Sequence, residues 1–295
     1  MKDIMKAGIV GAGAMGTLFS DYFNRKGIEL AVYEKNHSRI EQLGTDIHAS
    51  SMPSALSDCS IIFLFVKSYA TQQACEEILP HAHEKAVIVT LQNGLGNYEI
   101  IQSIFTTNPV VAGVTTYGAS LDSSGILVPG GTGEVIIGSE DTDARSTAFH
   151  LLSQCGFNVS ETDSPQQVIW EKAIINAGIN PIGAILDIPN GKIVENRYTS
   201  TIQEQLVLEA CSVANALGME VNADTMVERT RDVCARTATN YCSMLQDIRA
   251  NRKTEIDSIN GKIEEYGKTV GVQTSWSSLA VLFVRALETT SHSPS

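Results

Sequence analysis

The stretch that most restricts the fold of this chain lies near its start. Lys6 to Val10 is a short apolar run with β character, and it leads directly into Gly11-Ala12-Gly13-Ala14-Met15-Gly16, after which the pattern turns helical. In a strand–loop–helix unit the first glycine permits the tight turn and the second lets backbone approach a pyrophosphate. The third lets helix pack on strand, with the helix N-terminus facing the anion. The placement predicts a dinucleotide site over Gly11, Ala12, Gly13, Ala14, Met15 and Gly16. A glycine-rich turn without a ligand is the competing reading.

The rest of the first half keeps the same rhythm. Strands are predicted over 6–10, 29–33, 61–66, 86–91, 110–114 and 134–138, with helical patterns between most of the early ones. That alternation specifies a parallel sheet covered by helices on both faces. After about residue 165 the β-branched runs thin out, helical period takes over, and Gly or Pro punctuates at Pro189-Asn190-Gly191 and Gly218. The expected architecture is α/β: an N-terminal Rossmann-type, doubly wound parallel sheet (residues 1–165, dinucleotide binding) and an all-α C-terminal domain (166–295, substrate binding). A length of 295 residues suits two domains.

Composition narrows the partners. A net charge of −12 opposes binding to nucleic acid or to an anionic membrane surface, both of which reward clustered Lys and Arg. The strongest apolar run, Ile61-Ile62-Phe63-Leu64-Phe65-Val66, is far too short to span a bilayer. Cys59, Cys75, Cys155, Cys211, Cys234 and Cys242 show no CxxC spacing, and the N-terminus lacks a basic start followed by an apolar run, so reduced thiols in a cytoplasm are expected. The helices of the second half could form a homodimer interface or pack on the first half; amphipathicity is satisfied either way.

Eighteen residues after Gly16 stands Glu34, followed by Lys35. A carboxylate at the end of the second strand accepts hydrogen bonds from ribose hydroxyls and repels a 2′-phosphate, whereas a cation attracts it. Glu34 therefore favours NAD(H), while Lys35, together with Lys67 after the third predicted strand, could hold the phosphate of NADP(H). Lys67 reads equally well as a solvated strand-end lysine. Asn93-Gly94, at the carboxyl edge of the fourth predicted strand, is both a candidate nicotinamide or ribose contact and an ordinary turn dipeptide.

Hydride transfer to a ketone needs a proton donor at the carbonyl oxygen. None of the six histidines lies in the helical body of the second half; lysine can replace histidine as donor when burial or a nearby positive charge lowers its pKa, and Lys172 is the best placed candidate. In Trp170-Glu-Lys172-Ala-Ile-Ile-Asn176-Ala-Gly-Ile-Asn180-Pro181 a lysine and two asparagines recur every fourth residue and share one helix face amid Ala, Ile and Gly. One cation and two amides suit an oxygen-rich anion; a solvated helix face is the bland alternative. Pro181 predicts a helix stop or kink just past the stripe.

The stretch 170–181, with Pro189-Asn190-Gly191, Ser243-Met244-Leu245-Gln246-Asp247, Thr254-Glu255-Ile256-Asp257 and Asn260-Gly261, resembles the ketopantoate reductase (2-dehydropantoate 2-reductase) family, from Gly11 to about Val270. The resemblance implies an NADP(H)-dependent oxidoreductase with Lys172 as proton donor and Glu255 as a second active-site group. It further implies substrate contacts at Asn176, Asn180, Asn190 and the segment Ser243, Met244, Leu245 and Gln246. Cofactor contacts fall at Asn93, Ala119 and Lys67. Glu255 and Ser243 would be unremarkable without it. Arginine is usual in the family at the position of Lys35, and a preceding carboxylate such as Glu34 is not, while the segment from Gln42 to Asp58 looks shorter than the family's small hairpin. An NAD-dependent D-2-hydroxyacid dehydrogenase, a β-hydroxyacid dehydrogenase and a non-catalytic nucleotide-binding homologue are the alternatives.

Overall fold

The computed structural model describes residues 5–43, 47–122 and 124–291. The described residues fall into two compact units: one holds those up to Gln92 together with those of Asn97–Val168, the other Asn93–Gly96 and those from Ile169 onward. The tetrapeptide that leaves the first unit for the second is the candidate cofactor loop at Asn93.

In the first unit the elements are β1 (Lys6–Val10), α1 (Ala14–Arg25), β2 (Glu29–Tyr33), α2 (His37–Gln42), β3 (His48–Ser50), β4 (Ile61–Leu64), α3 (Thr71–Ile78), β5 (Val87–Thr90), α4 (Asn97–Ile104), β6 (Val110–Thr115), β7 (Ala119–Leu121), β8 (Leu127–Pro129), β9 (Val135–Gly138), α5 (Thr142–Gln154) and β10 (Val159–Glu161). Eight strands form one sheet in the order β10-β9-β6-β5-β4-β1-β2-β3. Neighbours are parallel except β6 and β9, so β9 and β10 run against the rest. The short β7–β8 hairpin is a separate antiparallel pair. Ile61, Ile62, Phe63 and Leu64 are all fully buried, as a strand with both faces covered by helices requires. The order of connections reverses at β1, which lies between β2 and β4; in such sheets the crevice at this switch point receives ligands.

The six predicted strands are present with their ends shifted by up to two residues. The structure adds β3, β7, β8 and β10, each of three residues and none fully buried. Part of the shortened segment after β2, residues 44–46, lies outside the described residues, as do residues 292–295 of the polar tail.

In the second unit, α6 (Pro165–Leu186, whose first turn belongs to the first unit), α7 (Asn190–Glu195), α8 (Arg197–Ala216), α9 (Ala223–Arg236), α10 (Ser243–Arg249), α11 (Asn260–Val270) and α12 (Ser275–Ser291) surround a core that includes Ile174, Ala177, Leu206, Val207, Ala210, Ile263 and Val284. Of the stop or kink expected at Pro181, the stop does not occur: α6 continues to Leu186. Among the described residues no helix is long and apolar enough to cross a membrane, and no group of three or more His, Cys, Asp or Glu could hold a metal ion.

Candidate active site

The glycine loop is built as its spacing demands. A Cβ at Gly16 would collide with the Gly11 carbonyl oxygen, so only glycine lets α1 start this close to β1. At Gly13, by contrast, an added Cβ would meet nothing within 4 Å, which leaves the backbone there open to a large ligand. Gly13 is also the N-cap of α1 and offers no side-chain cap, so N–H groups of the first turn remain for an anion. These features fit a dinucleotide pyrophosphate.

Glu34 curls back onto this loop. Its carboxylate accepts the Ala12 N–H at 2.6 Å and the Asn36 N–H at 2.8 Å. Lys35 is turned elsewhere, with Nζ 2.6 Å from Glu77 Oε1, and the same glutamate accepts from the Tyr33 hydroxyl at 2.8 Å. Lys67 follows β4 and precedes a 3₁₀ turn, partly buried. Ala119 opens β7 opposite Pro129.

Sequence reasoning does not find Arg39. Its Nε and Nη2 donate to the Ala12 carbonyl at 3.0 and 2.8 Å, Nη2 also donates to Thr17 Oγ1 at 2.9 Å, and Nη1 donates to the Gly125 carbonyl at 2.9 Å. Both backbone polar atoms of Ala12 are thus held by side chains from the β2–α2 segment. Burial lowers the Arg39 pKa, and the Glu34 charge opposes that. A cation early in the helix after β2 is the available signal.

In the second unit Lys172, Asn176 and Asn180 lie on one face of α6. Lys172 is half-buried, and desolvation brings its pKa from 10.5 down to about 8, against the pull of Glu255. Glu255, 7% exposed, precedes a 3₁₀ turn at Ile256–Ser258 and is anchored through its carbonyl, which accepts from Ser258 N and Ile259 N, both at 3.1 Å. Asn93-Gly94 stands at a turn packed closely on Ser258. Leu95 N donates to Ser258 O at 2.8 Å, and a Cβ at Gly94, where φ is +87°, would sit 2.6 Å from Ser258 Oγ. Gly94 and Leu95, which follow Asn93, thus pack on the segment that carries Glu255.

Asn180 is 5% exposed and Asn190 7%. Asn190 opens α7, its Nδ2 donates to Thr237 Oγ1 at 2.9 Å, and its buried Oδ1 has no hydrogen-bond partner, so it can accept from a ligand. Ser243 is exposed at the first turn of α10, and Gln246 Nε2 donates to the Tyr241 carbonyl at 2.9 Å. Met244 and Leu245 point into the apolar core at 2% and 1% exposure, which leaves only their backbone groups for a ligand. Cys242 fixes the entry to α10: its Sγ accepts from Leu245 N at 3.4 Å and lies 3.5 Å from the Asn180 carbonyl, to which it donates.

Both halves of the chain match a known family. The family described as "Ketopantoate reductase PanE/ApbA" matches residues 7–141, and its C-terminal counterpart matches residues 165–288. The 2-dehydropantoate 2-reductase of Halobacterium salinarum is 32% identical over 88% of this chain and 91% of its own. Among solved structures, a D-mandelate dehydrogenase with NADH and anilino(oxo)acetate is 25% identical, with a TM-score of 0.91 over 98% of this chain and 100% of its own. A PanE/ApbA family ketopantoate reductase from Ralstonia eutropha JMP134 shares the fold with a TM-score of 0.91 at 24% identity, over 98% of this chain and 100% of its own. With a GxGxxG loop, a lysine–asparagine helix and both halves matched, the chain belongs to the ketopantoate reductase family.

Proposed function

We propose that this chain reduces 2-dehydropantoate to pantoate with a reduced nicotinamide dinucleotide, the step that serves pantothenate synthesis. The observation that carries the reading is Lys172: a lysine brought to a pKa of about 8 by burial, on one helix face with two asparagines and within the electrostatic reach of a buried glutamate. Such a group donates and recovers a proton near neutral pH, as a ketone reductase needs.

The residues divide the work. Lys172 Nζ protonates the C2 oxygen of the oxo acid. Asn176 and Asn180 donate amide N–H groups to its other oxygens, and Asn190 Oδ1 accepts from a substrate hydroxyl. Glu255 keeps the Lys172 ammonium from losing its proton too early. Ser243 and the α10 segment through Gln246 cover the substrate. When bound, the nicotinamide supplies the hydride. The Gly11–Gly16 loop with Glu34, Lys67, Asn93 and Ala119 holds the dinucleotide.

Glu34 on the loop, and Lys35 drawn to Glu77, favour NAD(H) over NADP(H). The same observation supports a second reading, an NAD-dependent D-2-hydroxyacid dehydrogenase, in keeping with the NADH-bound D-mandelate dehydrogenase at 25% identity. The separating experiment is oxidation of NADH and of NADPH with 2-dehydropantoate, phenylpyruvate and 2-ketoisocaproate. Preference for 2-dehydropantoate supports the first reading, and preference for phenylpyruvate or 2-ketoisocaproate the second.

A further inference from the structure

Pro181 sits inside α6 and has no N–H, so the Ala177 carbonyl, four residues earlier, loses its helical donor. Both Ala177 and Asn260 are fully buried, where a bare carbonyl costs about as much as a lost hydrogen bond. Asn260 Nδ2 donates to this oxygen at 3.3 Å. An asparagine amide from the first turn of α11 therefore takes the place of the backbone N–H that proline lacks, and α6 runs on where the local rule would end it.

The location gives this substitution a use. Ala177 follows Asn176 and precedes Asn180 by three residues, and Asn260 follows Glu255 by five. One buried hydrogen bond thus joins the turn of α6 that presents both amides to the segment that presents the carboxylate. We infer that Asn260 is a positioning residue: through the Ala177 carbonyl it sets the placement of Asn176 and Asn180 against Glu255 and so controls the grip on the 2-oxo acid. This role rests on the proposed reduction of a 2-oxo acid, and it is exerted through the Ala177 carbonyl.

The test is a double-mutant cycle in the full-length protein with Asn260→Ala, Pro181→Ala and both together. Pro181→Ala restores the helix's own donor, so Asn260 becomes redundant in that background. Asn260→Ala alone should raise KM for 2-dehydropantoate about tenfold or more, with kcat falling less and the fluorescence-measured affinity for NADH within about twofold of the parent. In the Pro181→Ala background the same change should cost less than about threefold. An equal loss in both backgrounds, or a lower melting temperature with KM unmoved, overturns the inference. Should Asn260→Ala fail to fold, recovery of folded, active protein in the double variant supports it, and failure of both overturns it. If the parent reduces no 2-oxo acid, the functional reading fails by itself. Melting temperatures then decide, by coupling or its absence, whether Asn260 acts through Ala177.

Discussion

Glu255 holds the proton on Lys172 against the effect of burial: desolvation lowers the Lys172 pKa from 10.5 to about 8, and the neighbouring carboxylate opposes that fall. The folded state therefore binds fewer protons than the unfolded chain between those two values. The resulting cost to stability is full below about 8 and is relieved as pH rises towards 10.5. For the reaction the sign is the reverse. In the proposed reaction reduction uses the ammonium, so kcat/KM for reduction should be level below about 8 and then fall about tenfold per pH unit, while oxidation of the hydroxy acid rises through the same range. Rate profiles in both directions check this; a reduction rate unchanged up to 10.5, the ordinary lysine value, would remove Lys172 as donor.

Replacing Glu255 by glutamine removes the charge that supports the ammonium. The inflection should move to lower pH, and activity at a fixed pH above it should drop about tenfold for each unit moved. A pH profile of Glu255→Gln that overlays the parent shows that the carboxylate does not govern the proton.

Loss of the proposed donor should be more severe. Lys172→Ala should lower kcat by about 10² to 10⁴, with dinucleotide affinity little changed. Stopped-flow reduction and an NADH fluorescence titration separate the two quantities, and parent-like turnover contradicts the role.

In the first unit, Glu34→Gln keeps an acceptor for the Ala12 N–H but removes the charge. Taking a like charge away from the 2′-phosphate is worth ~1 kcal/mol at a partly solvated site, so the ratio of NADPH to NADH efficiency should rise several-fold. An unmoved ratio means the carboxylate serves the loop alone.

Gly16→Ala tests the loop geometry. With the new methyl against the Gly11 carbonyl, α1 must shift, at a cost of about 1–3 kcal/mol in urea unfolding, and NADH binding should be lost with it. Undiminished binding would show that the loop relaxes without harm.

Much of this is legible in the sequence, and the remainder is hidden for identifiable reasons. β1 and β2 appear at their expected limits because buried apolar runs flanked by turn residues admit few other conformations. His48–Ser50 and Val159–Glu161 carry no such pattern; they are strands because neighbours at the ends of the sheet supply hydrogen bonds. The four-residue spacing of Lys172, Asn176 and Asn180 can be read directly, whereas Glu255 and Ser243 stand out only through family resemblance. Pro181 reads locally as a stop or kink, yet its effect depends on a donor 79 residues later in the chain, Asn260. Arg39 is hidden for the same kind of reason: it answers a carbonyl at Ala12 that only the folded loop leaves exposed to it.

The most direct measurement is turnover of purified protein on a panel of 2-oxo acids, 2-dehydropantoate, phenylpyruvate and 2-ketoisocaproate, with NADH and with NADPH, followed at the nicotinamide absorbance. If Lys172 and its asparagines grip ketopantoate, 2-dehydropantoate should outrun the others by at least about tenfold in kcat/KM, a difference of ~1.4 kcal/mol in transition-state binding, with NADH the better donor. A reversed substrate ranking, or no oxidation of either dinucleotide with 2-dehydropantoate, contradicts that assignment.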